Sequence, residues 1–213
     1  SGLASAGASA TSTSSAVAGS TTTYTRDGSG NLVQTVTSAQ GSVATTFDAS
    51  DNPVSRIVSS PDGVVLSTTT YGQDESGNLV QTVASAQGSV VTTVDPLGNP
   101  LSSVAISTMG VVLSTTTYAW HEDGTALRTT ASAFSVVTTS LNAAGLPLFE
   151  VERTTNGFVL NISNYALFSD GSMIRTSVDS QGYILRTHIG ADGQAVSQEE
   201  SDAQGWILGR SSF

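Results

Sequence analysis

Val64-Val65-Leu66-Ser67-Thr68-Thr69-Thr70-Tyr71 reads as a β-strand. Its β-branched residues favour an extended backbone. Period two sets Val65, Ser67, Thr69 and Tyr71 on one face, with Val64, Leu66, Thr68 and Thr70 on the other. The end of the run comes back along the chain as Thr21-Thr22-Thr23-Tyr24, Thr115-Thr116-Thr117-Tyr118 and, more weakly, Ile162-Ser163-Asn164-Tyr165. The tyrosines stand at 24, 71, 118 and 165, in steps of 47, and Phe213 falls 48 beyond the last. A fixed period of this size marks a repeat architecture, in which each unit packs only against its neighbours.

Each repeat divides into two half-units bounded by turn clusters. Asp27-Gly28-Ser29-Gly30-Asn31, Asp48-Ala49-Ser50-Asp51-Asn52, Asp74-Glu75-Ser76-Gly77-Asn78 and Asp95-Pro96-Leu97-Gly98-Asn99 form one set. Asp, Asn and Gly suit these sites because they tolerate left-handed backbone and bond locally. Gln40-Gly41, Asp62-Gly63, Gln87-Gly88, Met109-Gly110, Asn156-Gly157, Gln181-Gly182 and Gln204-Gly205 form a second set. The runs between turns have strand length, so the expected fold is all-β: a repetitive, elongated array of short antiparallel strands and tight turns, either hairpin repeats or solenoid-like. About sixteen strands and a closing one are expected. Residues 17–213 are expected to hold four repeats, about 21–67, 68–114, 115–161 and 162–208, plus a terminal strand.

Residues 1–16 stand apart as a small-residue arm. Leu3 precedes Ala4, Ala6, Ala8 and Ala10, which alternate with Ser, Gly and Thr. The arm reads either as a linker or as a donor strand for a neighbouring subunit.

Composition removes several function classes. The 213 residues carry a formal net charge of −10 and no lysine, which speaks against nucleic acid and anionic membranes as partners. Cysteine is absent, so disulfides and thiolate metal sites are excluded. No apolar run approaches a transmembrane helix, and no membrane insertion is expected. The chain opens at Ser1 rather than Met, which raises the expectation of a processed or excised product.

Phe47-Asp48, Val94-Asp95-Pro96-Leu97-Gly98-Asn99-Pro100-Leu101 and Tyr71-Gly72-Gln73-Asp74 resemble the YD repeat of Rhs and teneurin-type proteins. That repeat pairs an aromatic with Asp ahead of a Gly turn. Asn31, Asn78 and Asn99 stand where the family carries arginine. The resemblance implies a long antiparallel sheet that spirals into a shell.

Catalytic and ligand constellations are sparse. His121 and His188 lack the spacing of a zinc site. No cofactor or enzymatic activity is expected. The Asp/Gly turns carry a faint suggestion of calcium loops without the closing bidentate carboxylate, and the Thr triplets suggest a flat ice-binding ladder. Val17-Ala18-Gly19-Ser20-Thr21-Thr22-Thr23-Tyr24 and Trp206-Ile207-Leu208-Gly209-Arg210-Ser211-Ser212-Phe213 align with Val64–Tyr71. They are expected to be matching edge strands that join one subunit to the next, through Val17, Thr21, Thr22, Thr23 and Tyr24 at one end and Trp206, Ile207, Leu208 and Phe213 at the other. The functional expectation is a non-catalytic, secreted extracellular or cell-surface filament subunit that partners itself, with cell-surface glycan or envelope components as further candidates. Alternatives are a segment of a larger Rhs/YD shell or adhesin stalk, and a carbohydrate- or ice-binding module.

Overall fold

The computed structural model describes residues 15–17 and 19–213. The described residues form strands and turns with no helix. They divide into two compact units, the first running up to Pro100 and taking in Ala105–Val111, the second made of Leu101–Val104 and Val112–Phe213. The first contains β1 (Ser15–Val17), β2 (Ser20–Arg26), β3 (Leu32–Ser38) and β4 (Gly41–Phe47). It continues with β5 (Pro53–Ser59), β6 (Val65–Gln73), β7 (Leu79–Ser85) and β8 (Gly88–Val94). β9 (Pro100–Ile106) is shared between the units. The second contains β10 (Val112–Trp120), β11 (Ala126–Ser132), β12 (Ser135–Leu141), β13 (Pro147–Thr154) and β14 (Val159–Leu167). It ends with β15 (Met173–Asp179), β16 (Ile184–Ile189), β17 (Ala195–Ser201) and β18 (Ile207–Ser212). The all-β expectation holds.

Within each unit the strands pair antiparallel in chain order, β1 through β8 in one and β10 through β18 in the other. Each described strand packs only against its neighbours in the chain. Each unit is thus an open sheet one layer thick. Its cohesion comes from backbone ladders and cross-strand side-chain pairs instead of a core between layers. The sequence permits this because Thr, Ser and Val cover both faces with side chains that need no deep burial.

Successive hairpins send their turns to opposite ends of the strands. At one end of the first unit lie residues 27–31, 48–52, 74–78 and 95–99, and at one end of the second lie 121–125, 142–146, 168–172 and 190–194. All eight share one scheme, in which the first residue's N–H donates to the fifth's carbonyl and the fourth's N–H donates back to the first's carbonyl. This is a type I turn closed by a left-handed bulge residue. Glycine fills that fourth place in seven of them, and Asp51 takes it at φ 62° in the other. The opposite end uses the same turn before β6, β10, β14 and β18. Before β4 and β8 it uses two-residue loops, Ala39-Gln40 and Ala86-Gln87. The turn before β16 has switched to the longer form, Ser180-Gln181-Gly182. That one added residue explains why Phe213 lies 48 past Tyr165 while every earlier step is 47.

The N-terminal edge differs from expectation. Val17–Tyr24 is not one strand: Gly19, at φ 89°, turns the chain, and Val17 pairs back onto Ser20. Ser15 and Ala16 lie opposite Thr22 and Thr21, in the register that Arg56 and Ile57 take against Thr69 and Thr68. β1 therefore occupies the place of β5 in the repeat and crosses the line drawn at residue 16/17. Because Gly19 has no Cβ, this reversal is open to it.

Candidate functional site

Pairing register fixes two faces in each unit. The face carrying Tyr24 and Tyr71 in the first, and Tyr118 and Tyr165 in the second, also carries every buried Thr, Ser, Leu and Ala side chain among the described residues. These are Thr69, Ala126, Thr139, Leu141, Ser163, Ser177 and Thr187. Thr139 is buried between the longer side chains of its ladder partners Arg128 and Glu150. Each tyrosine faces a long polar partner across the ladder: Gln34, Gln81, Arg128 and Arg175 in turn. Gln34 Nε2 donates to Tyr24 Oη at 3.1 Å.

In the second unit this face holds a polar relay. Arg128 donates to Thr139 Oγ1 at 3.2 Å, and Thr139 donates to Glu150 Oε2 at 3.0 Å. Ser163 and Ser177 share a hydroxyl bond of 2.8 Å. Burial, with the Glu150 carboxylate second, pushes Tyr165 above the ordinary phenol range. Among the described residues the buried Asn161 Oδ1 and Arg175 Nε find no hydrogen-bond partner.

The other face of β15–β18 holds a shallow hollow of about 610 Å³ lined by Ile174, Arg186, His188, Glu199 and Arg210. Glu199 lies opposite both arginines in the ladder. Its Oε2 accepts from Arg210 Nε at 2.8 Å, which pairs Glu199 with Arg210. His188 belongs to this hollow, whereas His121 opens the β10–β11 turn, six strands away. The structure does not bring the two histidines together.

The acidic turns are self-satisfied. Asp48 Oδ1 accepts from the N–H of Ser50 at 2.8 Å and of Asn52 at 2.9 Å, while Oδ2 accepts from Asn52 Nδ2. Asp27, Asp74 and Asp95 repeat the pattern. Carboxylates spent on their own turns leave little for calcium, and no group of three potential metal ligands gathers among the described residues.

These bonds carry a pH dependence. The Asn52 backbone amide and then its side chain hold Asp48 below the usual carboxylate range. For Asp74 the Asn78 side chain is the larger cause, and for Asp123 and Asp170 it is the Thr125 and Ser172 hydroxyls. A depressed folded-state value stabilises at pH above the unfolded value and is lost as pH falls through the folded one. The melting temperature should therefore be flat from neutrality to about pH 5 and fall as pH drops through about 4 and below. A melting temperature constant through that acid range, measured by circular dichroism, would count against this.

The Thr triplets are split between the two faces. Their central residues, Thr22, Thr69 and Thr116, share the tyrosine face, and the outer two lie on the other. Thr69 is buried, and Thr116 spends its hydroxyl on Thr130 at 2.9 Å.

Of the residues expected at edges, Thr21 and Thr22 are paired on both sides, by β1 and β3. Thr23 and Tyr24 extend beyond β1. At the other terminus, Ile207 and Leu208 lie on β18, Trp206 ends its turn, and the Phe213 N–H donates to the Val196 carbonyl at 3.0 Å. β18 pairs with β17 alone among the described pairings. Leu3, Ala4, Ala6, Ala8 and Ala10 lie outside the described residues. The two ends are therefore not matching edges: β1 is of the β5 type and β18 of the β6 type.

No family model and no curated protein matches this chain. Among solved structures, a protein of unknown function from Bacteroides caccae is similar at 17% identity, over 93% of this chain and 69% of that one, with a TM-score of 0.18. The geometry itself defines the class: a repetitive, all-antiparallel β-sheet protein.

Proposed function

We propose that this chain is a non-catalytic structural protein, a subunit of an extracellular or cell-surface filament that grows by strand pairing at its sheet edges. The observation that carries this reading is the single layer. Where each strand touches only its chain neighbours, no described strand lies across the outer edge of β18, and an edge of that kind is a template for another strand. β18 has neither lysine nor proline to block its outer edge, and its one charge, Arg210, is tied to Glu199. Because β1 and β18 are of different strand types, the joint between subunits has a register of its own. An edge contact that does not close gives filaments.

The test is assembly of the purified chain, followed by light scattering and negative-stain microscopy. Polymers are expected. Gly209→Lys with Ser211→Lys, which puts two charges on the edge strand, should abolish them. Monomers at high concentration would sink the reading. A second reading is favoured by the shared hydrogen-bond scheme of the eight acidic-end turns: a stretch of a longer YD-type array from a shell or adhesin stalk. That reading expects the isolated chain to stay monomeric.

A further inference from the structure

Three turns of the second unit share a pattern not found elsewhere among the described residues. Asn156-Gly157-Phe158 leads into β14, Gln181-Gly182-Tyr183 into β16, and Gln204-Gly205-Trp206 into β18. Each sets an exposed carboxamide two residues ahead of an exposed ring. Phe158 and Trp206 are each 74% exposed and Tyr183 is 42% exposed. At the equivalent turns before β6 and β10 the chain carries Asp62-Gly63-Val64 and Met109-Gly110-Val111, with no ring.

The three rings belong to one face and one end. The N–H groups of Thr154, Asp179 and Asp202 donate to the carbonyls of Phe158, Tyr183 and Trp206 at 2.8, 3.1 and 3.0 Å, so each ring residue stands directly opposite one of them. Those three are in phase with Glu152, Ser177 and Glu200, which lie on the tyrosine face, and residues directly opposite one another share a face. The turns feed alternate strands, so neighbouring rings are spaced by two strand widths, about 10 Å. The longer turn before β16 is what admits the middle ring.

The carboxylates beside the rings are turned inward, onto their own turns. Asp179 Oδ1 accepts from the N–H groups of Gln181 and Tyr183, and Asp202 Oδ1 accepts from those of Gln204 and Trp206. None of the three turns contains lysine or arginine. Flat rings offer an apolar surface, and amides offer both donors and acceptors without charge. Pyranose sugars present the matching pair: a C–H face that stacks on a ring and a rim of hydroxyls that bond amides.

We propose that Phe158, Tyr183 and Trp206, with Asn156, Gln181 and Gln204, bind a neutral, extended polysaccharide along this end of the second unit. The even ring spacing fits a β-linked chain, which turns equivalent sugar faces toward a flat surface at regular intervals. The site is distinct from the outer edge of β18 through which subunits would join.

The test is retardation of the full chain in native gels containing hydroxyethylcellulose or xylan, with Trp fluorescence titration against the matching oligosaccharides. Retardation by at least one polysaccharide is expected, with a shift in Trp206 emission. Phe158→Ala, Tyr183→Ala and Trp206→Ala should each weaken binding about tenfold, corresponding to the loss of one stacked ring. Gln181→Ala should weaken it less, and Val64→Ala, at an equivalent turn without a ring, should leave it unchanged. No retardation by either polymer, or retardation that survives the triple ring variant, would overturn the proposal. So would ring variants that alter only self-association, which would make the row a contact with a second copy.

Discussion

Gly41→Val and Gly88→Val should each destabilise the fold by roughly 3 kcal/mol, the combined effect of backbone strain and overpacking. Both glycines close two-residue loops, at φ 126° and 130°. That region is all but closed to residues with a Cβ. The new Cβ also meets neighbouring backbone: the Ser59 carbonyl oxygen at Gly41 and the Ile106 carbonyl oxygen at Gly88. A carbonyl in a paired strand cannot swing aside as a side-chain tip can. Gly30 is the control, because at φ 86° nothing lies within 4 Å of its added Cβ. Gly30→Val should show the conformational cost alone, roughly 1 kcal/mol. Urea titrations of the three variants would decide the matter, and equal losses at all three sites would show that the close approach contributes nothing.

Thr139→Val should cost roughly 2 kcal/mol at nearly constant volume. Thr139 has 0% exposure and stands between Arg128 and Glu150, accepting from one and donating to the other. Removing the hydroxyl strands two charged groups over a buried methyl. Thr139→Ser keeps the hydroxyl and should recover most of the loss. Thr138→Val, on the opposite face, should change stability by less than about 0.5 kcal/mol. A Thr139→Val protein as stable as the parent in the same titration would show that water replaces the relay.

Strands and turns were legible because their signals are local. Alternation in Val65–Tyr71 and the turn glycines each act over a few residues, and the backbone obeyed them. The reversal at Gly19 was not legible. Ser15, Ala16 and Val17 carry too little apolar contrast to show a period, and only the pairing with Ser20–Thr22 reveals their place. The ring row was half visible. Trp206 drew attention as an edge residue, but Phe158 and Tyr183 sit directly after turn glycines, where no alternation marks a face. Their alignment also depends on the longer turn before β16, which a search for a strict 47-residue period passes over.

The single-layer design bears on how the chain reaches its native state. Contacts confined to neighbouring strands are short-range in sequence, so each hairpin closes only a small loop before it is rewarded. Antiparallel sheets usually fold slowly because distant segments must find one another. Here no such search exists within a unit. Each hairpin has a template in the one before it, and the sheet can lengthen strand by strand as the polypeptide emerges from the ribosome. Folding of this kind resembles zippering more than collapse, and a defect in one turn delays the strands beside it instead of the whole unit.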